Sequence, residues 1–88
     1  MRSLAELRGE IDEIDDNLVR LLRRRLQVVD EIAVAKRDAG VPVGDPGRED
    51  AILARVAAEA GEGFADDVRR LFASMFAIAK DRQRKARA

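Results

Sequence analysis

The fold is decided by residues 4–38, which read LAELRGEIDEIDDNLVRLLRRRLQVVDEIAVAKRD. Apolar residues recur there every three or four positions, the spacing that places them along one side of an α-helix. This stripe consists of Leu4, Leu7, Ile11, Ile14, Leu18, Leu21, Val28, Ile32 and Ala35. Ser3 and Glu6 fit a capping box, so we predict one long amphipathic helix that ends near Asp38.

Two cations lie where the stripe should carry apolar side chains. Arg25 fills the gap between Leu21 and Val28, and Lys36 continues the stripe near its C-terminal end. A buried cation without a partner is costly, so these residues should either hold an anion or extend to solvent along their apolar stems. The run Arg23-Arg24-Arg25 favours the solvated alternative for Arg25 taken alone.

Two shorter helices are predicted after the long one. Asp45 and Pro46 supply an N-cap and a first-turn proline for a helix over 46–60, which Gly61 ends. A third helix is predicted over 65–85, with a basic tail that frays from Arg82. The expected inward residues are Ile52, Leu53, Val56, Ala57 and Ala60, then Val68, Leu71, Phe72, Met75, Ile78 and Ala79.

Composition narrows the fold class and the chemistry. The 88 residues predict one all-α domain, because 47% are apolar and only 3% aromatic. Equal numbers of basic and acidic residues, 17 each, argue against a general nucleic-acid binder. Without His or Cys, the usual thiol, histidine and zinc-site chemistries are excluded. No stretch is apolar enough to span a membrane, and we expect a cytoplasmic protein without metal or cofactor.

The predicted long helix exceeds what one small chain can cover. At 1.5 Å per residue it is about 50 Å long, whereas a compact chain of this size has a radius of gyration of about 12 Å. The two shorter helices can mask only part of its stripe. We therefore expect an intertwined homodimer, in which two long helices pair and share the shorter ones.

Polar residues also lie on or beside the apolar faces of the shorter helices. They are Asp45, Arg48, Glu49 and Gln83. Each has a plain structural explanation, since Asp45 can cap a helix, Arg48 and Glu49 can form a surface pair, and the glutamine can be exposed at a fraying end. Their convergence with the two long-helix cations predicts instead a polar pocket for a small anion with carboxylate and hydroxyl groups.

These residues, in this order, resemble the all-helical, AroQ-class chorismate mutases over nearly the whole chain. The motifs are Leu7-Arg8-x-Glu10-Ile11-Asp12, Leu22 through Arg25, Ala35-Lys36, Asp45-x-x-Arg48-Glu49, and Arg70-Leu71-Phe72 followed by Gln83. No single motif is specific, but the ordered set is. The resemblance implies an isomerase of the shikimate pathway and aromatic amino acid biosynthesis that rearranges chorismate to prephenate.

The resemblance also implies roles for individual residues. Each of two sites in the dimer is completed by Arg8 of the other subunit, and Arg8 and Arg25 bind the substrate carboxylates. Lys36 contacts a carboxylate and the ether oxygen, to which Gln83 also donates. Lys36, Gln83 and Arg25 are thus the implied catalytic residues.

The remaining implied contacts position the substrate. Arg48 supports the carboxylate end, while Glu49 and the Asp45 region hold the ring hydroxyl. One position departs from the family, because Ala79 stands where the family commonly has Ser, and a hydroxyl contact to the substrate is missing.

Other functions stay open at this point. Ala79 leaves room for 4-amino-4-deoxychorismate as the substrate, whereas Glu49 argues against an isochorismate pyruvate lyase. A non-catalytic helical dimerisation module is the alternative from another class, with Arg25 and Lys36 facing carboxylates of a protein partner. The resemblance also allows an activating complex with the first enzyme of the shikimate pathway.

Overall fold

The computed structural model describes all 88 residues and contains three α-helices and no strand. The helices are α1 (Leu4–Ala39), α2 (Pro46–Ala60) and α3 (Ala65–Lys85). α3 packs against both α1 and α2, which do not pack against each other. None of the three combines the length and the apolar character needed to cross a membrane. The predicted all-α class and the order of one long and two shorter helices are confirmed.

Local chemistry explains the ends of α1. The Ser3 hydroxyl accepts a hydrogen bond from the Glu6 backbone N–H at 3.1 Å, and the Glu6 carboxylate accepts one from the Ser3 backbone N–H at 3.3 Å. The predicted capping box is therefore present. At the other end Gly40 has φ +69°, and the Val41 N–H donates to the Lys36 carbonyl at 2.8 Å. This left-handed glycine stops the helix and turns the chain toward α2.

The core is small and lies where α3 crosses its neighbours. Its buried residues are Val29, Ala33, Val56, Ala57, Phe76, Ala79 and Gln83. The predicted inward face of α2 is confirmed, but Leu71 and Ile78 of α3 remain 59% and 48% exposed. They lie about a quarter turn or more from the buried side of α3, because that side is centred between Phe76 and Ala79. Their assignment to the inward face is wrong for the single chain.

The apolar stripe of α1 is uncovered in the single chain. Leu4 is 62% exposed and Leu18 is 55% exposed, and the buried residues of α1 are only Val29 and Ala33. Since α1 projects beyond the other helices, the molecule measures 56 × 25 × 15 Å. This confirms the prediction that one chain cannot cover the stripe, and it leaves an apolar surface of the kind that binds another protein surface.

The C-terminal part of α3 is tied to α1. The Arg82 guanidinium donates two hydrogen bonds to the Asp30 carboxylate, at 2.8 and 2.5 Å. Beyond the helix, the Arg87 side chain donates to the Val41 carbonyl. α3 ends at Lys85, as predicted, and these contacts tie the basic tail that begins at Arg82 to α1 and to the loop that follows α1.

Candidate active site

A cavity of about 560 Å³ lies between the three helices, within the usual size range of small-molecule sites. Its floor is apolar and includes Ile32, Ile52 and Phe76. Its charged lining consists of five cations and two carboxylates: Arg25, Lys36, Arg48, Arg55, Lys80, Asp45 and Glu49. The excess of cations suits an anionic ligand. The chain contains no group of three acidic or metal-binding side chains placed to hold a metal ion.

α1 supplies Arg25 and Lys36, three helical turns apart on one face. Both side chains are half-buried and line the cavity. The Arg25 guanidinium carbon lies 5.9 Å from the centre of the Phe72 ring of α3, a cation–π distance that restrains the side chain at the cavity wall. Arg23 lines a separate groove on the other side of α1. Arg25 and Arg23 therefore have different surroundings.

Lys36 and Gln83 meet across the contact between α1 and α3. Lys36 Nζ donates to Gln83 Oε1 at 3.3 Å, and Gln83 is only 7% exposed. Because the amide oxygen accepts from the ammonium group, the amide N–H groups remain free to donate to a ligand. The alternative that Gln83 is exposed at a fraying helix end is wrong, since α3 continues past it and carries its side chain inward.

The first turn of α2 contributes three residues to the cavity. Asp45 Oδ1 accepts from the Arg48 backbone N–H at 3.0 Å, so the N-cap explanation holds, although Asp45 also lines the cavity. Glu49 does not pair with Arg48. Its Oε1 lies 3.3 Å from Lys80 Nζ of α3, which leaves Arg48 without a carboxylate partner. The alternative explanation of Arg48 and Glu49 as a surface pair is therefore wrong.

Most of the predicted substrate-binding residues are brought together by one chain. Those that line the cavity are Arg25, Lys36, Asp45, Arg48, Glu49, Ala79 and Gln83. Arg8 is the exception, being exposed on the projecting part of α1. It precedes Arg25 by 17 residues, which corresponds to about 25 Å along the helix, so it does not reach the cavity of its own chain.

Two cations of the cavity were missed by the sequence analysis. Arg55 follows Ile52 by three residues on α2, and Lys80 lies three residues before Gln83 on α3. Both spacings are those of neighbours on a helix surface. The same periodicity that identified Gln83 could therefore have found them.

The Asp30–Arg82 pair lies outside the cavity, and the pKa of each of its two groups is shifted. Hydrogen bonds from Arg82 lower the pKa of the Asp30 carboxyl below its ordinary 3.8; partial burial opposes this effect, and the charge of Arg82 adds to it. The same hydrogen bonds raise the pKa of the Arg82 guanidinium. Because Arg82 precedes Gln83, this pair fixes α3 against α1 next to the contact between Lys36 and Gln83.

The chain is similar to several curated proteins over part of its length. It is 38% identical to the chorismate mutase of Methanocaldococcus jannaschii over 56 residues, which are 64% of this chain and 57% of the relative. It is 40% identical to the T-protein of Haemophilus influenzae over 53 residues, 60% of this chain and 14% of that protein. It is 39% identical to the bifunctional chorismate mutase/prephenate dehydratase of Aquifex aeolicus over 56 residues, which are 64% of this chain and 16% of that protein.

These relatives extend well beyond the stretch that they share with this chain, and no solved structure matches it significantly. The family model described as chorismate mutase type II, in contrast, matches residues 7–84. Because that match spans nearly all of the sequence, the chain belongs to the chorismate mutase type II family, which confirms the resemblance found in its motifs.

Proposed function

We propose that the cavity binds chorismate and accelerates its rearrangement to prephenate. In this Claisen rearrangement the ether C–O bond breaks while a C–C bond forms within the same molecule, so no proton, electron or group is exchanged. Such a reaction needs binding, alignment and stabilisation of charge, but no nucleophile, metal or cofactor. A cavity of cations and one buried amide has the groups for that task, and the family of the chain supports the same reaction.

The contact between Lys36 and Gln83 is the observation that carries the proposal. Two donors from different helices converge there, and the amide N–H groups are free. The ether oxygen gains negative charge as its bond to carbon lengthens, and preorganised donors stabilise that charge. If each donor contributes about 3 kcal/mol, the pair supplies about 6 of the ~8 kcal/mol that a 10⁶-fold acceleration requires.

The other lining residues hold the substrate in its compact conformation. Arg25 and Arg48, which have no carboxylate partner within the chain, are available for the substrate carboxylates. Glu49 accepts the hydrogen bond of the ring hydroxyl, and the Asp45 region lies beside it. Fixing both ends of the molecule restricts it to the reactive geometry, which provides the remainder of the rate acceleration.

The complete site requires a second copy of the chain. The uncovered stripe of α1 is the surface through which two copies pair, and the distance of Arg8 from the cavity of its own chain leaves it free to enter the other site. An intertwined homodimer with Arg8 supplied between subunits accounts for both features. An activating complex with the first shikimate-pathway enzyme and a cytoplasmic location remain predictions.

The proposal is tested by supplying chorismate, 4-amino-4-deoxychorismate and isochorismate to the purified chain in parallel. Ultraviolet absorbance follows depletion, and chromatography identifies each product. We expect chorismate to be converted to an equal amount of prephenate and Lys36→Ala to abolish the conversion. Faster conversion of 4-amino-4-deoxychorismate than of chorismate would make the amino compound the substrate, in keeping with the missing hydroxyl at Ala79. No conversion of any of the three would favour a dimerisation module.

A further inference from the structure

An ion pair in the cavity joins α2 to α3. Lys80 Nζ of α3 lies 3.3 Å from Glu49 Oε1 of α2, and the side chains are 33% and 25% exposed. In every other ion pair of the chain both side chains are at least 41% exposed. Because solvent and salt screen a sheltered pair less, the attraction between these two charges is screened less than in the other pairs.

The side chain of Lys80 is held at its stem as well as at its ammonium group. Its Cδ lies 3.6 Å from the position that a Cβ on Gly44 would take, so the stem runs along the loop that precedes α2. Gly44 has φ +83°, a conformation that favours glycine, and it presents no side chain to this stem. With its stem along this loop, Lys80 places its ammonium group beside Glu49.

Lys80 differs in its partner from the other cations of the cavity. Arg25, Lys36 and Arg48 make no ion pair, and Arg55 approaches only Glu59, which lies outside the cavity. Arg25, Lys36 and Arg48 are therefore available to a ligand. Lys80 alone is paired with a carboxylate of the cavity. Its positive charge is therefore offset by Glu49 and is less available to a ligand.

We propose that Lys80 is a positioning residue that sets the ring-substituent specificity of the site through Glu49. The inference rests on the proposed function, since it concerns which group the same substrate carries beside Glu49. With Oε1 of Glu49 bound to Lys80, Oε2 remains to accept from the ligand. A neutral hydroxyl donates one hydrogen bond there and brings no charge.

A primary amine at the same ring carbon meets a different environment. Its protonated form would place a second cation within roughly 6 Å of Lys80, a distance at which like charges disfavour each other. Without Lys80, the same carboxylate would attract that ammonium group through a charge-assisted hydrogen bond. Lys80 therefore makes the site select hydroxyl over ammonium.

The test compares Lys80→Met, which keeps the stem and removes the charge, with Lys80→Arg, which keeps the charge. Lys85→Met is the matched control, because Lys85 is exposed on the same helix and does not line the cavity. For each variant we would measure KM for chorismate and the inhibition constant of 4-amino-4-deoxychorismate against chorismate. Lys80→Met should change the ratio of KM to the inhibition constant by about tenfold or more, in favour of the amino compound. Lys80→Arg and Lys85→Met should leave the ratio unchanged.

An unchanged ratio in Lys80→Met, including the case in which the affinities for both compounds fall equally, overturns the inference. A variant that merely loosens the fold weakens the binding of both ligands equally. The ratio therefore separates an effect on specificity from an effect on stability. Circular dichroism checks folding, and Lys80→Gln replaces Lys80→Met if the latter does not fold. Calorimetric binding of both compounds gives the ratio without turnover. A chain that binds chorismate without converting it therefore contradicts only the proposed function, and one that binds neither compound contradicts both.

Discussion

At the scale of single residues, Arg23 and Arg25 form a matched pair with different surroundings. Arg25 is half-buried at the cavity beside Phe72, whereas Arg23 is exposed on a separate groove. Arg25→Ala should lose about 2 kcal/mol or more of transition-state binding, as expected for a charge-assisted contact. Arg23→Ala should leave transition-state binding nearly unchanged. The measurement is kcat/KM for chorismate, and equal losses in the two variants would exclude Arg25 from the site.

The second residue-scale prediction concerns Gln83, whose amide donates without titrating. Gln83→Glu keeps the shape, but the introduced carboxyl donates only when it is protonated, and its ionised form repels the developing negative charge. The variant should be active in acid and lose activity as pH rises through the pKa of that carboxyl. The pH profile of kcat/KM tests this, with circular dichroism at each pH.

Gln27→Glu is the control for that pH profile, because Gln27 is the other glutamine of the chain and lies outside the cavity. It should show the profile of the parent. If Gln83→Glu shows the parent profile as well, then Gln83 does not donate to the reacting oxygen and serves only the packing of α3.

At the scale of the elements, the site depends on the register of α3 against α1. The bidentate contact between Arg82 and Asp30 joins these helices, and it lowers the pKa of Asp30. A carboxyl whose pKa is lower in the folded than in the unfolded chain stabilises the fold above its ordinary pKa, and this contribution is lost as pH falls through the folded value. Protonation of Asp30 should therefore loosen the contact between the two helices in acid.

The prediction is that Asp30→Asn lowers the thermal unfolding midpoint at neutral pH. The difference from the parent should be complete above the ordinary pKa of 3.8 and shrink below it, as Asp30 of the parent is protonated in the folded state. Thermal unfolding followed by circular dichroism between about pH 2 and pH 7 measures the difference. Asp81→Asn is the control, because Asp81 pairs only with Arg84 of its own helix. A difference that does not vary with pH would contradict the assigned role of Asp30.

The helix ends could be predicted from the sequence because local chemistry decides them. The capping box of Ser3 and the Asp45-Pro46 start of α2 involve residues within one turn of each other, so no tertiary information is needed. The partner of Glu49 could not be predicted in the same way. Helical periodicity gives the face on which a residue lies, but the crossing of α2 and α3 decides that Glu49 meets Lys80 and not Arg48.

At the scale of the whole molecule, a chain of zero net charge contains a cavity with more cations than carboxylates. The sequence predicted a pocket for an anion from the polar residues on apolar faces, and the meeting of three helices added the positive charges of Arg55 and Lys80 to it. The exposure of the apolar stripe of α1, in contrast, could be predicted from the sequence. Its length alone predicted that a single chain would leave it exposed, and it is exposed.

The last prediction follows from the separation between Arg8 and Arg25 on α1. If each site takes Arg25 from one subunit and Arg8 from the other, both Arg8→Ala and Arg25→Ala homodimers should be nearly inactive. When the two variants are unfolded and refolded together, random pairing makes about half of the dimers mixed, and each mixed dimer has one intact site of two. About a quarter of the parent activity should return. Because the two variants have equal masses, one of them is labelled with ¹⁵N, and native mass spectrometry then verifies that mixed dimers form. No recovery in their presence would mean that Arg8 does not serve the other subunit.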